Sequence, residues 1–171
     1  MAIRTVLTIL LGVLSAACAA PSPAARGIPP EAQPVVVTRV ADGDTIWVRP
    51  ALGGEEQRVR RLEIDAPETH ATRGGPQCYG PEATAFAEEE LAVDSTVHLV
   101  ADREDTDRYG RMLRYVWTDD GEFYNEEAIR QGFARAVLYE PNDRFIGTMR
   151  AAEAEARGAE RGLWGPSCAL P

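Results

Sequence analysis

The feature that most constrains the fold is the stretch 42–69, which predicts two short strands joined by a Gly-Gly turn at residues 53–54. Such a hairpin carries Asp44 on its first strand and Arg60 and Asp65 on its second. Two acidic groups and an arginine, followed at once by Glu68, would then share one end of a small sheet. We therefore expect a chemical site at that end.

The remaining chain predicts further short strands and three helices. Apolar alternation predicts strands over residues 35–40, 45–48, 58–64, 96–100 and 112–117. Helical spacing predicts helices from Pro81 to about Leu91, over 126–131 with Asn125 as its cap, and from Asn142 or Asp143 to Arg161. Strands first, with helices among the later strands, indicate a β-rich α+β domain.

The N-terminus resembles an export signal. A single arginine precedes an apolar run at 6–13 and then small residues, which predicts a signal peptide over residues 1–20, cleaved after Ala19. Leu-Ser-Ala-Ala-Cys, ending at Cys18, is similar to a lipoprotein box with its leucine one place too far upstream, so a lipid anchor at Cys18 stays open. Both alternatives predict export. We expect a Pro/Ala-rich linker over 21–34, the folded domain over 35–166 and a tail over 167–171.

Export bears on the cysteines. If Cys18 is removed or lipidated, Cys78 and Cys168 remain as a pair in an oxidising compartment, where a disulfide is the usual outcome. Such a bridge would stabilise the fold by about 4 kcal/mol in the chain-entropy model. Two unpaired thiols are the alternative.

Composition limits how the protein can contact its partners. The 171 residues are 44% hydrophobic and 26% charged, which suits one domain with a real core. The formal net charge of -9 argues against a protein that holds nucleic acid by neutralising many phosphates. It leaves room for a local site where a cation bridges carboxylates and phosphate.

The residue types around the hairpin suit phosphodiester hydrolysis. That reaction needs stabilisation of a centre that gains negative charge and activation of an attacking water. A hard cation with oxygen ligands, arginines and a carboxylate base supply these functions. Asp44 and Asp65 are candidate ligands, Arg60 and Arg111 candidate phosphate clamps, and Glu68 a candidate base.

Five ordered motifs and a closing Gly-Leu-Trp resemble the staphylococcal nuclease (thermonuclease) family across residues 35–164. They are Asp-Gly-Asp-Thr at 42–45, Arg-x4-Asp-Ala-Pro-Glu at 60–68, Tyr-Gly-Pro-Glu-Ala at 79–83, Asp-Arg-Tyr-Gly-Arg at 107–111 and Asn-Glu-x3-Arg-Gln-Gly at 125–132. The resemblance implies an OB-type five-stranded barrel with three helices. It also implies Ca²⁺-dependent hydrolysis of DNA and RNA.

By motif position, the resemblance implies a role for each site residue. Ca²⁺ would be held by the carboxylates of Asp44 and Asp65 and by the backbone carbonyl of Ala66. Glu68 falls on the presumed general base, and Arg60 and Arg111 on the arginines that hold the phosphate. Tyr109 and Tyr139 match residues that contact the nucleotide, although the segment with Tyr139 is one residue shorter than the family pattern. The acidic net charge departs from the strongly basic staphylococcal enzyme.

Other interpretations remain open at this stage. OB-type barrels also serve as non-catalytic modules that bind nucleic acid or a protein partner at the cell surface, and the acidic charge favours this alternative. A calcium-binding structural protein is a third reading, in which the arginines would have no use. Arg111 could pair with one of the acids in 102–107, and Tyr109 could be a core residue. His70 and His98 lack a partner at metal-ligand or triad spacing. Nothing predicts an obligate protein partner, so we expect a monomer.

Overall fold

The protein forms a small closed barrel with helices packed against it. The structure, a computed structural model, describes residues 27–69 and 75–168. The expected signal peptide, Cys18 and His70 lie outside these residues, and the expected linker and tail lie partly outside them. Among the described residues, no helix has the length and apolar character needed to cross a membrane.

The described part of the chain contains seven strands and three α-helices. In chain order they are β1 (Gln33–Val40), β2 (Thr45–Pro50), β3 (Gln57–Arg61), β4 (Ile64–Asp65), α1 (Gly80–Glu90), β5 (Thr96–Val100), β6 (Met112–Thr118), α2 (Tyr124–Arg130), β7 (Arg135–Ala136) and α3 (Ile146–Gly158). Two 3-10 turns, Gly162–Trp164 and Pro166–Cys168, follow α3. The prediction of an α+β domain with a five-stranded OB-type barrel and three helices is confirmed.

The barrel closes in the order β1, β2, β3, β6, β5 and back to β1. All pairs are antiparallel except β3 and β6, which run parallel with Arg60 opposite Leu113. Alternate residues of the strands fill the interior. Val37, Ile46 and Val59 are fully buried there. The short strands β4 and β7 form a separate two-stranded sheet.

The predicted strand over 58–64 is wrong as a single element. The chain leaves the barrel after Arg61, because Glu63 adopts a left-handed backbone with φ 60°. Ile64 then pairs with Ala136, and Asp65 with Arg135. This break turns Asp65 away from β3 and toward the end of the barrel.

Other details also differ from the prediction. The expected linker is too long at its C-terminal end, since β1 begins at Gln33 and Ile28 packs against a buried cluster around Leu62. Asn125 does not cap α2. It is buried inside the helix, accepting a hydrogen bond from the Val116 N–H at 2.9 Å and donating one to the Leu62 carbonyl at 2.8 Å.

Helix α3 is shorter than predicted at both ends. Asn142 does not start it, because the Asn142 side chain accepts a hydrogen bond from the backbone N–H of Glu104 at 2.8 Å. The helix begins at Ile146 and ends at Gly158, short of the predicted Arg161.

A disulfide fastens the C-terminal tail to the body. Cys78 lies just before α1 and bonds to Cys168, at a sequence separation of 90. The structure therefore contains the pairing that the cysteine count predicted.

Candidate active site

Arg60 lies at the centre of the candidate site. Its side chain is buried, although it carries a charge. Nη1 donates to the carbonyl oxygens of Arg61 and Ile64, both at 2.8 Å, while Nη2 donates to the hydroxyl of Tyr139 at 2.7 Å. Because these partners hold the guanidinium group in place, its orientation is set before any ligand binds.

Two carboxylates converge on the same nitrogen of Arg60. Asp44 Oδ2 lies 3.2 Å from Nη2, and Asp65 Oδ1 lies 3.5 Å from it. Asp44 is buried just before β2, next to Thr45, which pairs with Arg60 across the sheet. Asp65 reaches the same point from β4, on the far side of the break at Glu63.

Local structure holds Asp44 in position. Its carboxylate accepts hydrogen bonds from the Thr45 hydroxyl at 2.9 Å and from the Ala66 N–H at 3.3 Å. Gly43 allows this approach, since a Cβ atom there would lie 2.5 Å from the Cβ of Ala66. A glycine is therefore required between Asp42 and Asp44.

Sequence analysis missed Asp42 as a member of the site. Its Oδ1 accepts a hydrogen bond from the Asp44 N–H at 2.9 Å. Burial, and then the neighbouring Asp44, raise the pKa of Asp42. The signal that identifies it in the sequence is the Asp-Gly-Asp motif, whose first aspartate lies two residues before Asp44.

Negative charge accumulates at this end of the barrel. Burial, and to a lesser extent Asp44, raise the pKa of Asp65 against the opposing effect of Arg60. Burial followed by repulsion from Asp42, Asp44 and Asp65 raises the pKa of Glu68. Ionised carboxylates this close repel one another, so a bound cation would stabilise the cluster.

Glu68 is held through its main chain by a residue that the sequence did not indicate. The Gln77 N–H donates to the Glu68 carbonyl at 2.8 Å, and the Glu68 N–H donates to Gln77 Oε1 at 2.9 Å. Gly80 packs against the same carbonyl, where a Cβ atom would lie 2.6 Å from the oxygen. The Glu68 side chain is exposed. It is close enough to Asp42, Asp44 and Asp65 to be repelled by their charges.

Arg111 and the two tyrosines share a cavity with Arg60. Arg60, Tyr109, Arg111 and Tyr139 all line one cavity of about 430 Å³. Arg111 Nε contacts Asp107 Oδ2 at 2.7 Å, so the alternative in which Arg111 pairs with a nearby acid is realised as well. Tyr109 is 65% exposed, which excludes a core role for its ring.

The other predicted residues lie outside this group. His98 is bound to Asp119, with Nε2 at 2.9 Å from Oδ1, and takes no part in the site. The disulfide of Cys78 and Cys168 lines a neighbouring cavity that also includes Asp65 and Gln77.

The donor atoms at the cluster fit a hard divalent cation. In residues 27–69 and 75–168, no group of three His, Cys, Asp or Glu side chains forms a ready metal site. Oxygens of Asp44 and Asp65 nevertheless lie 3.2 Å and 3.5 Å from the same atom, Nη2 of Arg60, so the two carboxylates are close to each other. Oxygen ligands are what Ca²⁺ and Mg²⁺ prefer, and main-chain carbonyls or water can complete their coordination.

Comparisons with known proteins agree with this geometry. The model of the family described as "Staphylococcal nuclease homologue" matches residues 58–166. A thermonuclease from Staphylococcus intermedius is 39% identical over 129 residues, covering 75% of this chain and 74% of the relative. A thermonuclease from Staphylococcus hyicus is 38% identical, covering 75% and 73%. Endonuclease YncB from Bacillus subtilis is 37% identical, covering 78% and 62%. With the barrel, the ordered motifs and these matches in agreement, the chain belongs to the staphylococcal nuclease family.

Proposed function

We propose that the protein is an exported, Ca²⁺-dependent nuclease that hydrolyses phosphodiester bonds of DNA and RNA. The observation that carries the proposal is the meeting of Arg60, Tyr109, Arg111 and Tyr139 around one cavity. The two arginines can bind phosphate, and the two tyrosines can contact the sugar and base of a nucleotide. Asp44 and Asp65 contact one of these residues, Arg60, at its Nη2 atom.

Arg60 and Arg111 would bind the scissile phosphate. Each guanidinium can donate hydrogen bonds to phosphate oxygens, and these bonds strengthen as negative charge builds on those oxygens during attack. The contacts of Arg60 with Tyr139 and two carbonyls, and of Arg111 with Asp107, orient both groups in advance. Preorganisation of this kind lowers the barrier because little reorganisation is needed.

Glu68 would accept the proton of the attacking water. The raised pKa of its carboxylate makes it a stronger base than an ordinary surface glutamate. The water oxygen would then form a bond to phosphorus while the opposite P–O bond breaks. Gln77 bonds both the N–H and the carbonyl of Glu68. These two hydrogen bonds would hold the Glu68 main chain, and with it the carboxylate, in position for the reaction.

Asp44 and Asp65, with the Ala66 carbonyl, would hold Ca²⁺. When bound, the ion supplies positive charge beside the phosphate and offsets the mutual repulsion of the aspartates. Tyr109 and Tyr139 would contact the sugar and base of the bound nucleotide. We further propose that the chain is exported, by cleavage after Ala19 or with a lipid anchor at Cys18, and acts as a monomer.

The test is cleavage of single-stranded DNA, duplex DNA and RNA by the purified domain, with Ca²⁺ and then with chelator. Glu68→Gln should lose most of the activity while keeping the melting temperature. Arg60→Ala should also lose most of the activity and remain folded, although with a lower melting temperature because Arg60 is a buried, paired charge. Glu88→Gln, an exposed change on α1, is the matched control and should keep full activity.

Two results would contradict the proposal. Full activity of Glu68→Gln or Arg60→Ala would refute the assigned roles. A folded wild-type protein that binds these nucleic acids but cleaves none of them at any Ca²⁺ concentration would support the non-catalytic OB-fold module instead.

A further inference from the structure

A half-buried tryptophan, Trp47, lies between two arginines on the outer face of the barrel, next to the candidate site. We propose that Arg39, Trp47 and Arg58, named here the Arg–Trp–Arg row, bind the single-stranded nucleic acid that continues beyond the scissile phosphate. This proposal rests on the proposed function, since it assigns a second binding surface to the same substrate.

The strand register builds the row. Trp47 on β2 pairs directly with Arg39 on β1 and with Arg58 on β3. An irregularity in β1 between Val37 and Arg39 places Arg39 in this position. The guanidinium carbon of Arg39 lies 4.6 Å from the centre of the Trp47 ring, and that of Arg58 lies 5.7 Å from it.

The row is continuous with the candidate site. Arg58 is two residues from Arg60 on β3 and therefore on the same face, about 7 Å away along the strand. Trp47, Arg58, Tyr109 and Arg111 line one groove of about 460 Å³. A strand held at its phosphate by Arg60 and Arg111 would thus pass over Trp47 as it leaves the cavity.

Charge at the row is opposite to that of the whole protein. The chain has a formal net charge of -9. Arg39 and Arg58 are exposed, and within residues 27–69 and 75–168 neither forms a salt bridge. Of the two acids along the groove, Asp105 is neutralised by Arg114 at 2.6 Å.

The second acid, Glu56, accepts a hydrogen bond from the Thr38 hydroxyl and remains a negative charge in the groove. Two unpaired arginines against one such glutamate still leave positive charge for phosphates.

The chemistry of the row selects a single strand. An indole ring stacks on a nucleobase whose face is open, which duplex DNA does not offer. Arginines beside the ring can contact the flanking phosphates and also stack on bases. The row thus combines a stacking surface with backbone contacts, the combination that binds single strands with little sequence preference.

The experiment compares long and short ligands. The ligands are labelled oligothymidylates of about twelve nucleotides, within the usual site size of such surfaces, and of about two nucleotides, below it. Binding is measured by fluorescence anisotropy across a salt series. The proteins are wild type, the double variant Arg39→Gln/Arg58→Gln, Trp47→Leu, and the control Arg150→Gln on α3. Cleavage of both oligonucleotides with Ca²⁺ is measured in parallel.

We expect the double variant to bind the long oligonucleotide about 10-fold more weakly, with a salt slope lower by about 1.4 because two phosphate contacts are lost. Trp47→Leu should weaken the same binding by about 5-fold or more. Binding and cleavage of the dinucleotide should not change, and Arg150→Gln should match wild type throughout.

The outcomes separate this proposal from the proposed function. Wild-type affinity and salt slope in the double variant would overturn the row as a binding surface. An equal loss for long and short ligands would overturn it too, because the change would then lie in the catalytic cavity or the fold. If wild type binds but does not cleave, while the row variants bind more weakly, the nuclease proposal fails and the row stands.

Discussion

Glu63 is a buried acid whose ionisation should make the protein less stable as the pH rises. Its side chain is fully buried, and Oε1 accepts hydrogen bonds from the Tyr115 hydroxyl at 2.9 Å and the Phe145 N–H at 3.3 Å. Oε2 is buried and has no hydrogen-bond partner among the residues that the structure describes. The Tyr115 hydroxyl also lies 3.1 Å from Asp102, so two carboxylates compete for one hydroxyl proton.

Burial is the main cause that raises the pKa of Glu63, from the ordinary 4.5 to about 6. Below about pH 4.5 the carboxyl is protonated in the folded and unfolded states, and its stabilising effect is complete. Between about pH 4.5 and 6 the unfolded chain releases the proton first, which favours unfolding. The difference of about 1.5 units corresponds to about 2 kcal/mol of stability lost by neutral pH.

Glu63→Gln keeps the size of the side chain and removes its charge. The free energy of unfolding of wild type and variant would be measured by urea titration at about pH 4 and about pH 7.5. Between these values the variant should gain about 2 kcal/mol relative to wild type. Taking the difference between two pH values cancels any fixed effect of placing an amide in the core.

The control is Glu88→Gln on the exposed side of α1, for which no such relative gain is expected. If Glu63→Gln changed stability by the same amount at both pH values, the inference that burial raises the pKa of Glu63 would be wrong.

Three further predictions concern the site and its support. Replacing Cys78 and Cys168 with serine should lower the free energy of unfolding by about 4–5 kcal/mol, because the bridge joins residues at a sequence separation of 90. Guanidinium titration would measure this loss, and a loss below about 1 kcal/mol would contradict the chain-entropy argument. Gln77→Ala removes the acceptor for the Glu68 N–H, so kcat should fall about 10-fold with KM unchanged, and an effect on KM alone would argue against a positioning role. Asp44→Asn should weaken Ca²⁺ binding by calorimetry, without nucleic acid, by about 10-fold or more, and unchanged affinity would exclude Asp44 as a ligand.

Local pattern was a good guide to the strands. The prediction over 96–100 coincides with β5, and the one over 112–117 is one residue short of β6. Alternation reports which side chains share a face, and it needs only neighbouring residues. The ordered motifs likewise sufficed for the family and the barrel, which the structure and comparisons confirm.

The sequence was a poor guide where a polar residue has a distant partner. Asn125 has the composition of a helix cap, yet its amide bonds Val116 and Leu62 from inside α2. Glu63 fitted a continuous strand, whereas its left-handed backbone ends β3 and turns Asp65 into the site. Neither the hydrogen bonds of Asn125 nor the backbone conformation of Glu63 can be predicted from neighbouring residues alone, since both depend on how β3 and β6 meet.

The sequence by itself determined the set of groups available for chemistry, namely the aspartates, arginines and glutamate in their motifs, and the local strands that carry them. Only the tertiary structure decided how the three arginines of β3 differ. Arg60 is buried between carboxylates, Arg61 is fully buried against the Tyr124 ring, and Arg58 is exposed beside Trp47. The physical reason is that closure of the barrel, through the parallel pairing of β3 with the distant β6, sets what each face of β3 contacts.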